Sequence, residues 1–247
     1  MNYLQNIIPV METLSKKYYS NEKTTLNRMR IKPDHATFIG GKEKKSPFSA
    51  SGKEREENQG VSSPFKILIS CLLSLRARDE NTEKVSRQLF EVISTPEEIS
   101  KLSDKKLEKL IYSSGHYKKK TQVLKHVSKE IIERFNSQVP RTKDELLSIK
   151  GIGPKTANIV LAFAFGESVI PVDTHCHRIP NRLGWLKTKK PEQTEKELEK
   201  ILPKKYWKEF NGIFVLFGKT ICQPVSPKCS ICQIRKYCKR VGVVKSR

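Results

Sequence analysis

The sequence predicts an all-α fold with short connections. Apolar residues recur at helical spacing through most of the chain. Alternation of period two, the mark of a half-buried strand, is scarce, and its best run is ESVIPVD, just ahead of Thr174. Segments of this kind bury one stripe each against one another, which makes a packed helical protein.

In chain order, the apolar period places helices near residues 2–18, 64–77, 82–93, 104–113, 117–135, 142–149, 154–165, 174–184, 192–201 and 204–219. Leu146, Leu147 and Ile149 close one of them, and Ala157, Ile159, Val160 and Ala162 line the next. Between these two lies Lys150-Gly151-Ile152-Gly153, followed by Pro154. Glycine allows positive φ and close backbone approach, and proline suits a first helical turn, where its missing N–H is not needed. Asp173 stands just before Thr174, in the position of an N-cap. Residues 20–60 break the pattern: KEKKSPFSASGKEREENQG is polar, mixed in charge and almost free of large apolar side chains, as in a mobile insertion. Only HATFIGG within it has the content for a short ordered piece.

The chain carries 48 Lys+Arg against 26 Asp+Glu, a formal net charge of +22. Such an excess suits a polyanion and makes nucleic-acid binding strongly salt-dependent. A ribosomal or chromatin-like protein would share the charge, but 36% hydrophobic residues in patterned segments can bury a proper core. No apolar run approaches the length of a membrane span, and MNYLQNIIPVMETLSKKYYS lacks the layout of a signal peptide. An intracellular setting follows, in which cysteines serve metals or clusters more readily than disulfides.

Three groups of residues point to chemistry. The first is the glycine turn, where the amides of Lys150, Gly151, Ile152 and Gly153 at a helix N-terminus make an anion site that could dock a backbone phosphate; a plain tight turn would use the same residues. The second is Lys155, in the first turn of its helix. The helix dipole disfavours an ammonium in the first turn, and a lysine pushed toward its neutral amine is a nucleophile, although a phosphate-binding lysine is the simpler reading. The third is CQPVSPKCSICQIRKYC, which supplies Cys222, Cys229, Cys232 and Cys238. Its single C-x-x-C pair leaves a zinc ion and an iron–sulfur cube both open. Cys71 and Cys176 lie in apolar or helical settings and read as inert core thiols.

Taken together, LLSIKGIGPKTANIVLAFAFG, VDTHCHRIPNRLGW, SSPFKILISCLLSLRARDENT and the four-cysteine segment resemble the endonuclease III family of DNA glycosylases. The resemblance runs from Ser62 through the cysteines and leaves out residues 20–60. It implies two helical domains with DNA in the cleft between them: an N-terminal helix within 1–20 packing with the cluster domain, the insertion 21–60, a helix-hairpin-helix domain over 61–166, and an aspartate and [4Fe–4S] domain over 167–247. It makes Lys155 the nucleophile, Asp173 the catalytic carboxylate and the four cysteines the cluster ligands, with Lys228 as a DNA contact on the cluster loop. SLRARD and SGHYKKK supply the side chains that fill the hole left by an extruded nucleotide, here Arg76 and His116, where many relatives carry glutamine and leucine. Lys118, Lys119 and Lys120 then contact phosphates. The implied protein is a monomeric, bifunctional glycosylase and abasic-site lyase of base excision repair, acting on damaged double-stranded DNA, with no membrane partner, and preferring oxidised pyrimidines. It would sit in the cytoplasm at the nucleoid, or in the nucleus of a eukaryote. The rival readings are a mismatch thymine or uracil glycosylase, a class that generally lacks the hairpin lysine, and an inactive DNA-binding iron–sulfur protein.

Overall fold

The computed structural model describes residues 3–18, 63–75, 77 and 79–247. The expected insertion and Arg76 lie outside the described residues. Eleven α-helices are seen among the described residues: α1 (Ile7–Tyr18), α2 (Pro64–Ser74), α3 (Asp79–Phe90), α4 (Pro96–Lys101), α5 (Asp104–Leu110), α6 (Tyr117–Phe135), α7 (Lys143–Ser148), α8 (Pro154–Ala164), α9 (Thr174–Leu183), α10 (Pro191–Ile201) and α11 (Trp207–Thr220). The all-α expectation holds, and ESVIPVD forms no strand but runs without regular structure into α9.

Two hydrophobic cores form. In one, Leu68 and Leu72 of α2 meet Leu89, Ile99, Leu107, Leu124, Ile131, Leu146 and Val160, so that α2 to α8 enclose a single interior. In the other, Val10, Met11 and Leu14 of α1 join Ile170, Ile179, Leu198 and the phenylalanines of α11. Phe210 and Phe214 stack there with ring centroids 4.1 Å apart. The chain thus begins in the second core, builds the first and returns. Ser15 confirms the return by donating to Glu209 Oε1 at 2.7 Å, and α1 lies along α11.

Helix α4 has no counterpart among the predicted segments. Six residues are too few to show a period, yet Thr95 caps it with a full capping box: its hydroxyl accepts from Glu98 N while the Glu98 carboxylate accepts from Thr95 N. Several other ends also differ by a few residues; α3, for example, starts at Asp79 and ends at Phe90. Among the described residues no helix is long and apolar enough to cross a membrane.

Candidate active site

The hairpin of α7 and α8 is specified locally. Thr142 caps α7 through Glu145 N, and Gly153 is the N-cap of α8 with Pro154 in its first turn. Gly151 has φ +106°, and a Cβ there would meet Val123 Cγ1 at 3.0 Å, so α6 presses on the turn and only glycine fits. Gly153 is different: its φ is −98°, and no atom of the described residues lies within 4 Å of where its Cβ would be. Nothing among the described residues demands that second glycine. The N–H groups of Gly151 and Gly153 find no backbone acceptor among the described residues. Ile152 departs from the expectation of an outward amide. Its N–H donates to Ile149 O at 3.1 Å and its side chain is buried, so it anchors the turn and has no N–H to offer an anion.

The first turn of α8 carries Lys155, whose Nζ lies 3.5 Å from Asp173 Oδ2. The amine is therefore paired with a carboxylate and does not stand alone at the helix end. Asp173 caps α9 with its other oxygen, Oδ1 accepting from His175 N and Cys176 N at 2.9 Å each. Burial by itself would raise the Asp173 carboxyl, but the Lys155 charge, the Cys176 N–H and His175 together outweigh it and hold the group below the usual carboxylate range. It is a carboxylate at neutral pH, able to accept a proton or to face positive charge. Two buried asparagines grip the segment that presents it: Asn158 of α8 donates to Ile170 O at 3.2 Å, and Asn211 of α11 donates to Pro171 O at 2.8 Å. Sequence reasoning missed both; an amide in an apolar helical stripe was the available signal.

Ahead of α6, Ile111 to Gly115 lead to His116, an exposed N-cap in the left-handed region at φ 61°, ψ 31°. Lys118 and Lys119 are exposed. Lys120 corrects the expectation of a third phosphate contact: it is 7% exposed, and its Nζ donates to Leu73 O at 2.6 Å and Ser114 Oγ at 2.7 Å. A side chain turned inward to those acceptors does not reach a phosphate. Burial lowers its pKa.

After α11 the chain has no further α-helix, only the short 3-10 turns Cys229–Ile231 and Arg235–Tyr237. Cys222, Cys229, Cys232 and Cys238 line one cavity with Ile179, Arg182, Phe217 and Ile234, and half-buried Lys228 lies on its wall. Among the described residues no three ligand side chains converge closely enough for a single metal ion. N–H groups already approach two of the sulfurs: Arg182 Nη1 lies 3.5 Å from Cys222 Sγ, and Arg240 N lies 3.3 Å from Cys238 Sγ. Arg182 also donates to Gln223 O and Pro224 O, and Arg178 to Cys222 O at 2.7 Å, so α9 holds both Asp173 and the cysteine loop. These two arginines escaped the sequence reading because their acceptors are main-chain carbonyls some forty residues away. Cys71 and Cys176 are the inert core thiols expected, and burial pushes the Cys71 thiol up to about 12.

Residues 69–204 match the family described as HhH-GPD superfamily base excision DNA repair protein. Endonuclease III of Thermotoga maritima is 46% identical over 186 residues, covering 75% of this chain and 87% of that protein. Endonuclease III-like protein 1 of Mus musculus is 36% identical over 234 residues, covering 94% and 74% respectively. A solved structure of a trapped Endonuclease III–DNA covalent intermediate superposes with a TM-score of 0.75 at 29% identity, covering 96% of both chains.

Proposed function

Because the chain belongs to the endonuclease III family of the HhH-GPD superfamily, we infer that it is a bifunctional DNA glycosylase and abasic-site lyase of base excision repair, with damaged duplex DNA as its substrate. The observation that carries the reading is the Lys155 amine, partly exposed at the mouth of α8, 3.5 Å from an ionised carboxylate that is largely buried. That pair can perform both halves of the reaction.

In the first half, Lys155 Nζ gives up a proton, with the Asp173 carboxylate as the base within reach, and attacks C1′ of the extruded nucleotide. The C1′–N bond breaks, and its electron pair leaves with the base, which is then protonated. Positive charge develops on the sugar as the bond stretches, and the fixed negative charge of Asp173 is placed to stabilise it. In the second half, the sugar ring opens to a Schiff base between C1′ and Nζ. The iminium acidifies C2′; loss of a C2′ proton expels the 3′ phosphate by β-elimination and nicks the strand. Asp173 is well suited to both duties because its cap bonds to α9 fix Oδ1 and leave Oδ2 facing the amine.

Phosphates on either side of the lesion are assigned to Lys150 and the amides of Gly151 and Gly153, to Lys118 and Lys119, and to Lys228 on the cysteine loop. His116, with Arg76, is assigned to the hole left in the stack; extrusion costs a few kcal/mol and that hole must be filled. The four cysteines fit a [4Fe–4S] group. The donor set is all thiol, the four cysteines line one cavity, and N–H donors stand ready for two of the sulfurs. Bound there, the group would act as a staple for residues 221–247, with no part in bond cleavage.

Incubation with a panel of duplexes, each with one damaged base, tests the reading. Cleavage at an oxidised pyrimidine, with the product of β-elimination, is the expected result. A protein that nicks neither any lesion nor an abasic site overturns it.

A further inference from the structure

Lys120 is a buried cation with no carboxylate partner among the described residues, a costly arrangement that an apolar residue of similar length would avoid. Its two acceptors are neutral and belong to different segments. Leu73 O is one of the last carbonyls of α2, at the end of the helix where unpaired C=O groups and the negative end of the dipole lie. Ser114 is itself buried, two residues before His116. The backbone of Lys120 completes the arrangement, since its N–H donates to His116 O at 3.0 Å. Lys120 therefore bonds on both sides of His116, through its ammonium to Ser114 and through its amide to His116 O.

His116 needs such support. A left-handed residue with a Cβ is uncommon and persists where its surroundings over-determine it. The rest of the loop is tied down too: Asn81 Nδ2 donates to Ser113 O, Ser114 N donates to Ile111 O at 2.8 Å, and the Tyr112 and Tyr117 rings meet at 5.0 Å. Of these ties, only Lys120 reaches α2 as well.

We propose that Lys120 is a positioning residue for nucleotide extrusion: its buried ammonium locks the Ser114–His116 loop to the end of α2 and thereby holds His116 exposed in the form that fills the vacated stack. The proposal rests on the glycosylase reading and adds to it a residue that touches neither sugar nor base. Its effect falls on opening the duplex and leaves the chemistry at Lys155 alone.

The test compares the full-length wild type, Lys120→Met and Ser114→Ala on two substrates: a duplex with one oxidised pyrimidine, and a single-stranded oligonucleotide with an abasic site, where nothing has to leave a stack. Lys120→Met should lower kcat/KM on the duplex by about 10- to 100-fold, the range for losing charge-assisted hydrogen bonds. On the single strand it should change borohydride trapping at Lys155 by less than about threefold. Ser114→Ala keeps the lysine and its bond to Leu73, and should move in the same direction by about tenfold. A Lys120→Met/His116→Ala double variant should be no worse on the duplex than the worse single, because the two residues act through one contact. Equal losses on both substrates, or additive losses in the double variant, would reduce Lys120 to ordinary packing. Should Lys120→Met fail to fold, Ser114→Ala with full duplex activity would overturn the proposal by itself. A wild type that traps on neither substrate removes the glycosylase reading and this proposal with it.

Discussion

The hairpin of α7 and α8 carries Lys155, the cysteine loop after α11 is tied to the helix that Asp173 caps, and the two are held by different means. In the hairpin every feature has a nearby cause: Thr142 caps one helix, Pro154 opens the next, Gly151 lets α6 close over the turn, and Ile149 and Ile152 are buried beneath it. Residues 221–247 have two 3-10 turns, and only Ile221 and Ile234 of their large apolar side chains are buried. Arg178 and Arg182 reach across from α9 to hold the loop's carbonyls. Local sequence can specify the first region. The second is held from α9, some forty residues away in the chain.

The largest effect that follows from this difference is at the cysteines. Cys238→Ser should lose bound iron and the order of the second core together, at a cost of about 5 kcal/mol or more, since ligand binding to such a site contributes directly to folding. Cys71→Ser should keep its iron. Metal analysis with thermal unfolding checks both, and stoichiometric zinc in place of iron and sulfide would break the comparison.

Smaller effects separate the two glycines of the hairpin. Gly151→Ala forces a Cβ against Val123 at φ +106° and should destabilise the protein by about 1–3 kcal/mol. Gly153→Ala meets nothing within 4 Å, and its stability should change by less than about 1 kcal/mol. If a phosphate approaches that amide, DNA affinity nevertheless falls in Gly153→Ala. Unfolding curves and binding isotherms on the same two variants make the distinction, and unchanged affinity would remove the phosphate contact.

The smallest effect concerns the lysine run. Alanine at Lys118 and Lys119 should flatten the log–log salt dependence of duplex binding by roughly 0.9 per lost contact, whereas Lys120→Met should leave the slope alone. A slope that responds to Lys120 and not to its neighbours would reverse the geometry described.

What could be read from the sequence follows the same division. Long helices with a sustained apolar period were legible, as were Asp173 as a cap and the four cysteines as one set. Helix α4 was not, because six residues give no period, although its Thr-x-x-Glu box was present. Lys120 ends a run of three lysines, and the resemblance groups it with Lys118 and Lys119 as a phosphate contact. The period held the correction, for Lys120, Leu124, Val127 and Ile131 share one face of α6, and the last three are core. Ile152 was misplaced for another reason: amide direction depends on how a turn closes, and residue types do not report it. The pairing of Lys155 with Asp173 was available only through the family likeness, since seventeen residues, most of α8 among them, separate the two.

The central claim is that Lys155 is the nucleophile and Asp173 its carboxylate. Borohydride reduction during turnover on lesion-containing duplex, followed by peptide mapping, tests it most directly. The account predicts a covalent protein–DNA adduct on Lys155, its loss in Lys155→Gln with DNA binding largely kept, and an adduct formed roughly 10²- to 10⁴-fold more slowly on the intact lesion in Asp173→Asn. An adduct that survives Lys155→Gln, or that maps to Lys150 of the neighbouring turn, would contradict it.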